Sequence, residues 1–287
     1  MPEERSSGAR SRRSAVPRGA EPRKLPAQNL ALLDDLALRL RPEDPALDAW
    51  VREYHRNHRR RLAADLWLAG RVLDDGARVL EYGAVPLLMT GALAATGYRV
   101  DALDIAPQRF ASSIAELGLK VSRCDVEREA VPFEDDSFDA VLFNELFEHL
   151  RIDPIFTLEE VLRVLRPGGL LLLSTPNLRS FRGLRNLLLH DRGHAVSAGI
   201  YRQYEKLQSL GHMGHVREYT VRDVAEFLGQ IGFSVERVVY RGGHGRGAVG
   251  LAERLLPSMR PFFSLIARKP SASQSAGSQS TTGTSEP

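Results

Sequence analysis

Four clusters in the middle of the chain carry residue types suited to binding and group-transfer chemistry. The first is Glu81-Tyr82-Gly83-Ala84-Val85-Pro86, a carboxylate and a glycine at the end of a short apolar run. A glycine directly after a strand permits a tight turn and a close approach of backbone to ligand. Asp104 ends the next apolar run, 21 positions after Gly83 (104 − 83). That interval suits a carboxylate accepting hydrogen bonds from both hydroxyls of a ribose. Asp125-Val126 and Asn144-Glu145 stand at two further strand ends. Each feature also has a plainer reading, as a turn glycine or as the cap of the following helix. Histidines can take a proton from an acceptor hydroxyl near neutral pH. His149 lies just beyond Asn144, and His212 and His215 lie in a later irregular stretch, so these three are the candidate bases. Packing at a helix start is the plainer role for His149. The spacing of His212 and His215 matches no metal-ligand motif, and no metal site is expected. Cys124, the one cysteine, reads as a small buried apolar group.

The same residues discriminate between cofactor classes. A dinucleotide needs G-x-G-x-x-G so that backbone can approach a pyrophosphate. Here the second and third glycine positions are Val85 and Leu88, with Pro86 between them. A nucleoside cofactor without phosphate, such as S-adenosylmethionine (SAM), needs only the first turn and the ribose carboxylate.

These groups need a scaffold that brings strand ends together. Residues 30–40 and 45–73 show apolar groups at helical spacing, interrupted by the basic segment His55–Arg61. That basic run is a solvated face in the plain reading and a contact for a phosphate or nucleotide-sugar in the other. Strands are expected at 78–81, 99–104, 120–124, 138–143 and 170–174, with helices between them and Arg166-Pro167-Gly168-Gly169 as a helix stop. A helix at 220–231, a strand at 234–240, a short helix at 250–256 and a strand at 261–267 follow, the helix opened by a capping-box pattern of Thr220 and Asp223. Strands alternating with helices imply βαβ units. The expected fold is α/β: a Rossmann-like, seven-stranded, mostly parallel sheet with helices on both faces and an N-terminal helical extension. In such a sheet the ligand lies outside the carboxyl ends of the strands.

The ordered set of motifs resembles class I SAM-dependent methyltransferases, in the subgroup of ubiquinone-, menaquinone- and polysaccharide-tailoring enzymes. Val79-Leu80-Glu81-Tyr82-Gly83-Ala84, Gly97 to Pro107, and Cys124-Asp125-Val126-Glu127 with Val131 to Val141 look like its successive motifs. Asn144 to Leu150, Leu165 to Gly169, Ser174 to Asn177 and His215 to Thr220 complete the likeness, which spans roughly 78–268. The resemblance implies that Glu81, Gly83, Ala84 and Val85 shape the methionine end, with backbone of 83–85 near its carboxylate and amine. It implies that Asp104 holds the ribose, Ile105 flanks the adenine, Asp125 bonds the adenine amine with Val126 beside it, and Asn144 lies between cofactor and acceptor. Val85-Pro86 is the departure from the pattern, since Pro86 removes an amide donor.

Composition sets the limits. Of 287 residues 43% are hydrophobic and 26% charged, enough for an ordinary core. No apolar run reaches the roughly 18–20 residues of a membrane span. Residues 1–24 hold seven basic and three acidic groups, or +4; the whole chain is +3, which leaves about −1 for 25–287. The basic character therefore sits in the leader, which argues against a nucleic-acid surface on the fold. The expected organisation is a disordered basic leader (1–28), a helical cap (29–76), a methyltransferase domain (77–268) with an acceptor-binding insertion (177–218), and a disordered tail (269–287). The expected activity is transfer of a methyl group from SAM to a small molecule, on an oxygen of a sugar, glycan or secondary metabolite, in the cytoplasm. The competing expectations are a fold that has lost its cofactor and serves as a scaffold, and RNA methylation using the leader. The acceptor and the oligomeric state are left open.

Overall fold

The computed structural model describes residues 18–197, 199–210, 214–243 and 247–271. Strand β1 (Arg18–Ala20) leads into helices α1 (Ala27–Arg39) and α2 (Asp48–Val72). Then come β2 (Arg78–Tyr82), α3 (Leu88–Ala95), β3 (Arg99–Asp104), α4 (Ala111–Glu116), β4 (Lys120–Arg123) and β5 (Phe138–Asn144). Helix α5 (Pro154–Val164) runs straight into β6 (Leu165–Pro176), followed by α6 (Phe181–His190), α7 (Ile200–Leu210) and α8 (Val221–Ile231). Strand β7 (Ser234–Arg241), α9 (Gly247–Leu255) and β8 (Phe262–Arg268) complete the order.

The strands form one sheet in the order β1-β7-β8-β6-β5-β2-β3-β4. Only β8 runs antiparallel, between β6 and β7. Strand order reverses between β2 and β5, which opens a crevice at their carboxyl ends.

Alternation along each strand divides the core between the two faces. In β5, Ala140 and Leu142 join one apolar cluster with α1, α2 and α3, whereas Val141 and Phe143 join the other with α5 and α8. Every one of these side chains is fully buried, and replacing a leucine such as Leu142 by alanine costs about 2–5 kcal/mol. Helix α8 starts with the expected capping box, Thr220 Oγ1 accepting from the Asp223 amide while the Asp223 carboxylate accepts from the Thr220 amide.

Three sequence expectations are corrected. The sheet has eight strands, not seven. The extra one lies inside the stretch expected to be disordered: Arg18–Ala20 pairs in parallel with Val238–Tyr240, and the Glu21 carboxylate accepts from the Gly242 amide at 3.0 Å. An edge strand of three residues is held by main-chain hydrogen bonds, which leave no apolar pattern to read. The basic segment 55–61 does not interrupt its helix; α2 is continuous through it. The Arg166-Pro167-Gly168-Gly169 stretch does not separate helix from strand, because β6 already begins at Leu165, paired with Phe138.

Candidate active site

The turn after β2 is built by its glycine. Gly83 has φ +75°, a left-handed conformation that costs a residue with a side chain energy. From there the chain folds back onto β3. The amides of Gly83 and Ala84 both donate to the Leu103 carbonyl, at 2.9 and 3.0 Å, and the Val85 amide donates to Asp104 Oδ2 at 2.9 Å. All three amides that the resemblance places near the methionine end are thus engaged inward. Asp104 also closes the turn after its own strand, its Oδ1 accepting from the Ala106 amide at 2.8 Å. Each carboxylate oxygen can accept a further hydrogen bond, and Asp104 lines the cleft.

That cleft is the main cavity at the strand ends, with an empty volume of about 1090 Å³ including its open mouth. Gly83, Val85, Asp104, Ile105, Asp125, Val126, Asn144 and His149 all line it. Ala84 and Glu81 do not; they line a smaller cavity next to it with Val85, Asn144 and Arg61. Burial pushes the Glu81 carboxyl up to about 8, against the hydrogen bond it accepts from Thr90 Oγ1 at 2.5 Å, and the charge of Asp104 adds to the rise. Cys124 also lines the main cleft, and burial lifts its thiol to about 11, so it is an unreactive apolar wall.

Part of the wall comes from the opening helices, whose Trp50 and Tyr54 read in the sequence as core packing, with a lid over the cofactor as the alternative for Tyr54; Arg61 was missed. Trp50 and Tyr54 of α2 roof the cleft, and their rings meet at 5.7 Å. Arg61, two helical turns beyond Tyr54 on the same face, contacts the Tyr54 hydroxyl at 3.2 Å and pairs with Glu145 at 2.8 Å. The seven-residue spacing of Tyr54 and Arg61 was the available signal. Glu145 sits at φ +51°, uncommon for a residue with a side chain. It is held there by Arg61, by the Ser174 hydroxyl at 3.0 Å, and by its own amide donating to the Ser174 carbonyl at 2.8 Å.

On the acceptor side, His149 places Nδ1 at 3.0 Å from the Gly214 carbonyl, and its ring meets that of His215 edge to face at 4.7 Å. The His215 amide donates to Gln203 Oε1, and its Nδ1 stands 3.7 Å from Glu218. The structure thus brings His149 and His215 together, while His212 lies outside the described residues. Glu148 is fully buried, with Oε2 accepting from the Thr175 hydroxyl at 2.9 Å. Burial, reinforced by the charge of Glu145, holds its carboxyl well above the usual range. Ligand atoms of Glu148, His149 and His215 all lie within 4.8 Å of one another, a group able to hold a metal ion. The 177–218 stretch, expected to wall the acceptor pocket, supplies no lining residue among those described. It reaches the cleft indirectly, through the Gly214 carbonyl on His149 and the Val216 amide, which donates to the Glu148 carbonyl at 2.8 Å.

Residues 54–238 match the methyltransferase domain family. The chain belongs to that family. The class I SAM-dependent reading of the motifs stands, and with it SAM as the cofactor. A 117-residue stretch is 37% identical to a ubiquinone biosynthesis O-methyltransferase of Xanthomonas campestris, covering 39% of this chain and 48% of that protein. A 143-residue stretch is 34% identical to an uncharacterised methyltransferase of a Mycobacterium species, covering 49% and 56%. The chain thus spans about half the length of these relatives. Among solved structures, a SAM-dependent methyltransferase of Thermotoga maritima superposes with a TM-score of 0.53 at 17% identity, over 78% of this chain and 97% of that one. One from Methanosarcina mazei does so at 0.51 and 16%, over 71% and 97%. These two likenesses show the fold. No helix among the described residues is long and apolar enough to cross a membrane.

Proposed function

We propose that this cleft moves the methyl group of SAM onto an oxygen of a small-molecule acceptor, a sugar, glycan unit or secondary metabolite. The observation that supports this best is that Asp104, Asp125, Asn144 and His149 line one cleft. The second lone pairs of Asp104 take the ribose hydroxyls. Ile105 and Val126 flank the adenine, and Asp125 accepts from its amine. Because the amides of 83–85 point inward, the methionine carboxylate is met by the guanidinium of Arg61, which exchanges part of its pairing with Glu145. Asn144 stands where cofactor and acceptor meet.

The acceptor oxygen attacks the methyl carbon in line, the carbon–sulfur bond breaks, and the neutral thioether leaves. Charge on sulfur disperses in that transition state, so positioning and exclusion of water carry more of the rate than charge clamps do. Trp50 and Tyr54 supply the roof that excludes water. The proton of the hydroxyl goes to His149. With Nδ1 against a carbonyl oxygen, the neutral ring carries its proton there and keeps its lone pair on Nε2.

The test is calorimetric titration with SAM, followed by mass analysis of metabolite extracts incubated with labelled SAM. Binding, and a product heavier by one methyl, are expected. Absence of binding by folded protein at millimolar SAM refutes the reading and favours a scaffold.

A second reading of the acceptor side rests on one observation. Among the described residues, Glu148 Oε1 and His215 Nδ1 are buried without a hydrogen-bond partner, next to His149. A divalent cation held by the three would polarise the acceptor hydroxyl and lower its pKa. Metal analysis after dialysis against chelator, with activity restored by added Mg²⁺, Mn²⁺ or Zn²⁺, separates this role from simple base catalysis.

A further inference from the structure

The basic groups singled out in the sequence, the leader and the 55–61 segment, converge on a second cavity far along the chain from the motifs. Arg23, Arg60, Arg254 and Arg260 line a solvent-open hollow with an empty volume of about 980 Å³, together with Gly247 and Gly250 of α9. No residue lines both this hollow and the cofactor cleft. Among the described residues none that lines it is acidic, and the Glu253 carboxylate stands against Gly243 at its edge. We propose that this hollow binds a phosphate or diphosphate group.

Four observations carry the assignment. First, Arg260 is only 7% exposed, and its guanidinium meets main-chain carbonyls alone: Glu253 at 3.3 Å, Glu21 at 3.3 Å and Tyr240 at 3.4 Å. Carbonyls satisfy its N–H groups, and among the described residues no carboxylate forms an ion pair with it; the buried Glu253 carboxylate packs nearby against Gly243, and an anion in the hollow gives the guanidinium a direct ionic partner. Second, no ion pair joins Arg23 or Arg254 to a carboxylate among the described residues, in a chain whose other exposed arginines often do pair, such as Arg123 with Glu129 and Arg222 with Glu226. Third, the first turn of α9 borders the hollow through Gly247 and Gly250, so the positive end of a nine-residue helix adds to the field. Fourth, an adjoining cavity that shares Gly243 is lined by Arg182 and Arg185, with Glu253 as its one carboxylate. Guanidinium groups suit phosphate oxygens because their N–H groups bond them in pairs.

The phosphate has two sources, a soluble ligand or a lipid headgroup. The second is supplied by the flank of α9, where Leu251 and Leu255 are 53% and 72% exposed. The proposal does not rest on methyl transfer. SAM affinity, measured on the same samples, separates failure of this site from failure of the cofactor reading.

The experiment titrates the full chain with inorganic pyrophosphate, beside the double substitution Arg23→Ala/Arg254→Ala. Both side chains are exposed, so the fold is retained, as a thermal melt verifies. The double variant is expected to bind pyrophosphate about a hundredfold more weakly, about tenfold for each guanidinium–phosphate hydrogen bond removed. Its SAM affinity stays unchanged, and wild-type pyrophosphate binding weakens as NaCl rises. A parallel arm sediments the chain with phosphatidic acid or phosphatidylcholine vesicles. Arginine-dependent retention on phosphatidic acid without pyrophosphate binding assigns the site to a lipid headgroup. Binding to neither probe, or binding that survives the double substitution, overturns the proposal.

Discussion

The two halves of the sheet satisfy their buried polar groups in opposite ways. On the β2–β3–β4 side, partners at the cleft are closer in sequence: Asp104 serves Val85, 19 positions away, and Ala106, and Asp125 accepts from the Glu127 amide, while the Arg78 amide on Asp139, 61 positions away, is an exception. On the β6–β7 flank, partners are far apart. Asp65 pairs with Arg241 (176 positions, 241 − 65), Arg61 with Glu145 (84, 145 − 61), and Glu21 with the Gly242 amide. The first half is a set of local turns that hold their shape as motifs. The second is a buried charge cluster that exists only when α2, β5 and β7 are assembled. The difference teaches that the cofactor side carries its geometry in short segments, while the roof of the site depends on the whole fold.

Substitutions can break or sharpen this contrast. The largest effect is expected at Asp65, which is 3% exposed beside an equally buried Arg241. Asp65→Ala leaves that guanidinium with only the more distant Glu145 carboxylate, at 3.6 Å, and should cost about 3–5 kcal/mol in urea unfolding. Asp65→Leu combined with Arg241→Met should recover most of the loss, and a cost under about 1 kcal/mol for the single change would show that the flank is not held by this pair.

Next in size is His149→Gln. Loss of a positioned base should lower kcat about a hundredfold or more while SAM affinity stays as it was. Equal loss of both would make His149 part of the scaffold instead. A smaller effect is expected from Asp104→Asn, which turns an acceptor toward the Val85 and Ala106 amides into a partial donor. SAM binding should weaken roughly tenfold to a hundredfold by calorimetry. Unchanged affinity would remove Asp104 from the ribose site.

The smallest effect is confined to acid. Burial pushes the Glu218 carboxyl up, but His215 and the amides of Ala195 and Ser197 outweigh it and bring the value down to about 2. A carboxylate with a lowered folded-state value stabilises the structure above its ordinary value of 4.5. That contribution is lost as pH falls from about 4.5 through about 2. Pepsin should therefore cut the 195–218 segment progressively faster over that interval, and Glu218→Gln should flatten the dependence while exposing the segment at every pH.

Most strands could be placed along the chain directly, because short apolar runs ended by Gly83, Asp104 and Asn144 need no distant partner. That Gly83, Asp104, Asp125 and Asn144 line one cleft was legible for the same reason. The acceptor side was not. His149 and His215 come together through Gly214, a contact across 65 positions, and the insertion meets the site through backbone groups that any residue could supply. Strand β1 escaped notice because edge pairing leaves no side-chain signature. Arg61 and Glu145 read as ordinary charges until α2 was laid over the strand ends.

By itself, then, the sequence determined the α/β alternation, the turn at Gly83 and the row of carboxylates at the strand tips, since each follows from local conformation and short-range hydrogen bonding. Only the tertiary structure decided that the 83–85 amides point inward, that Trp50 and Tyr54 roof the cleft, and that the arginines of leader, cap and C-terminal helix face one hollow. Those outcomes depend on which surfaces bury one another, and burial brings together residues whose separation along the chain carries no signal.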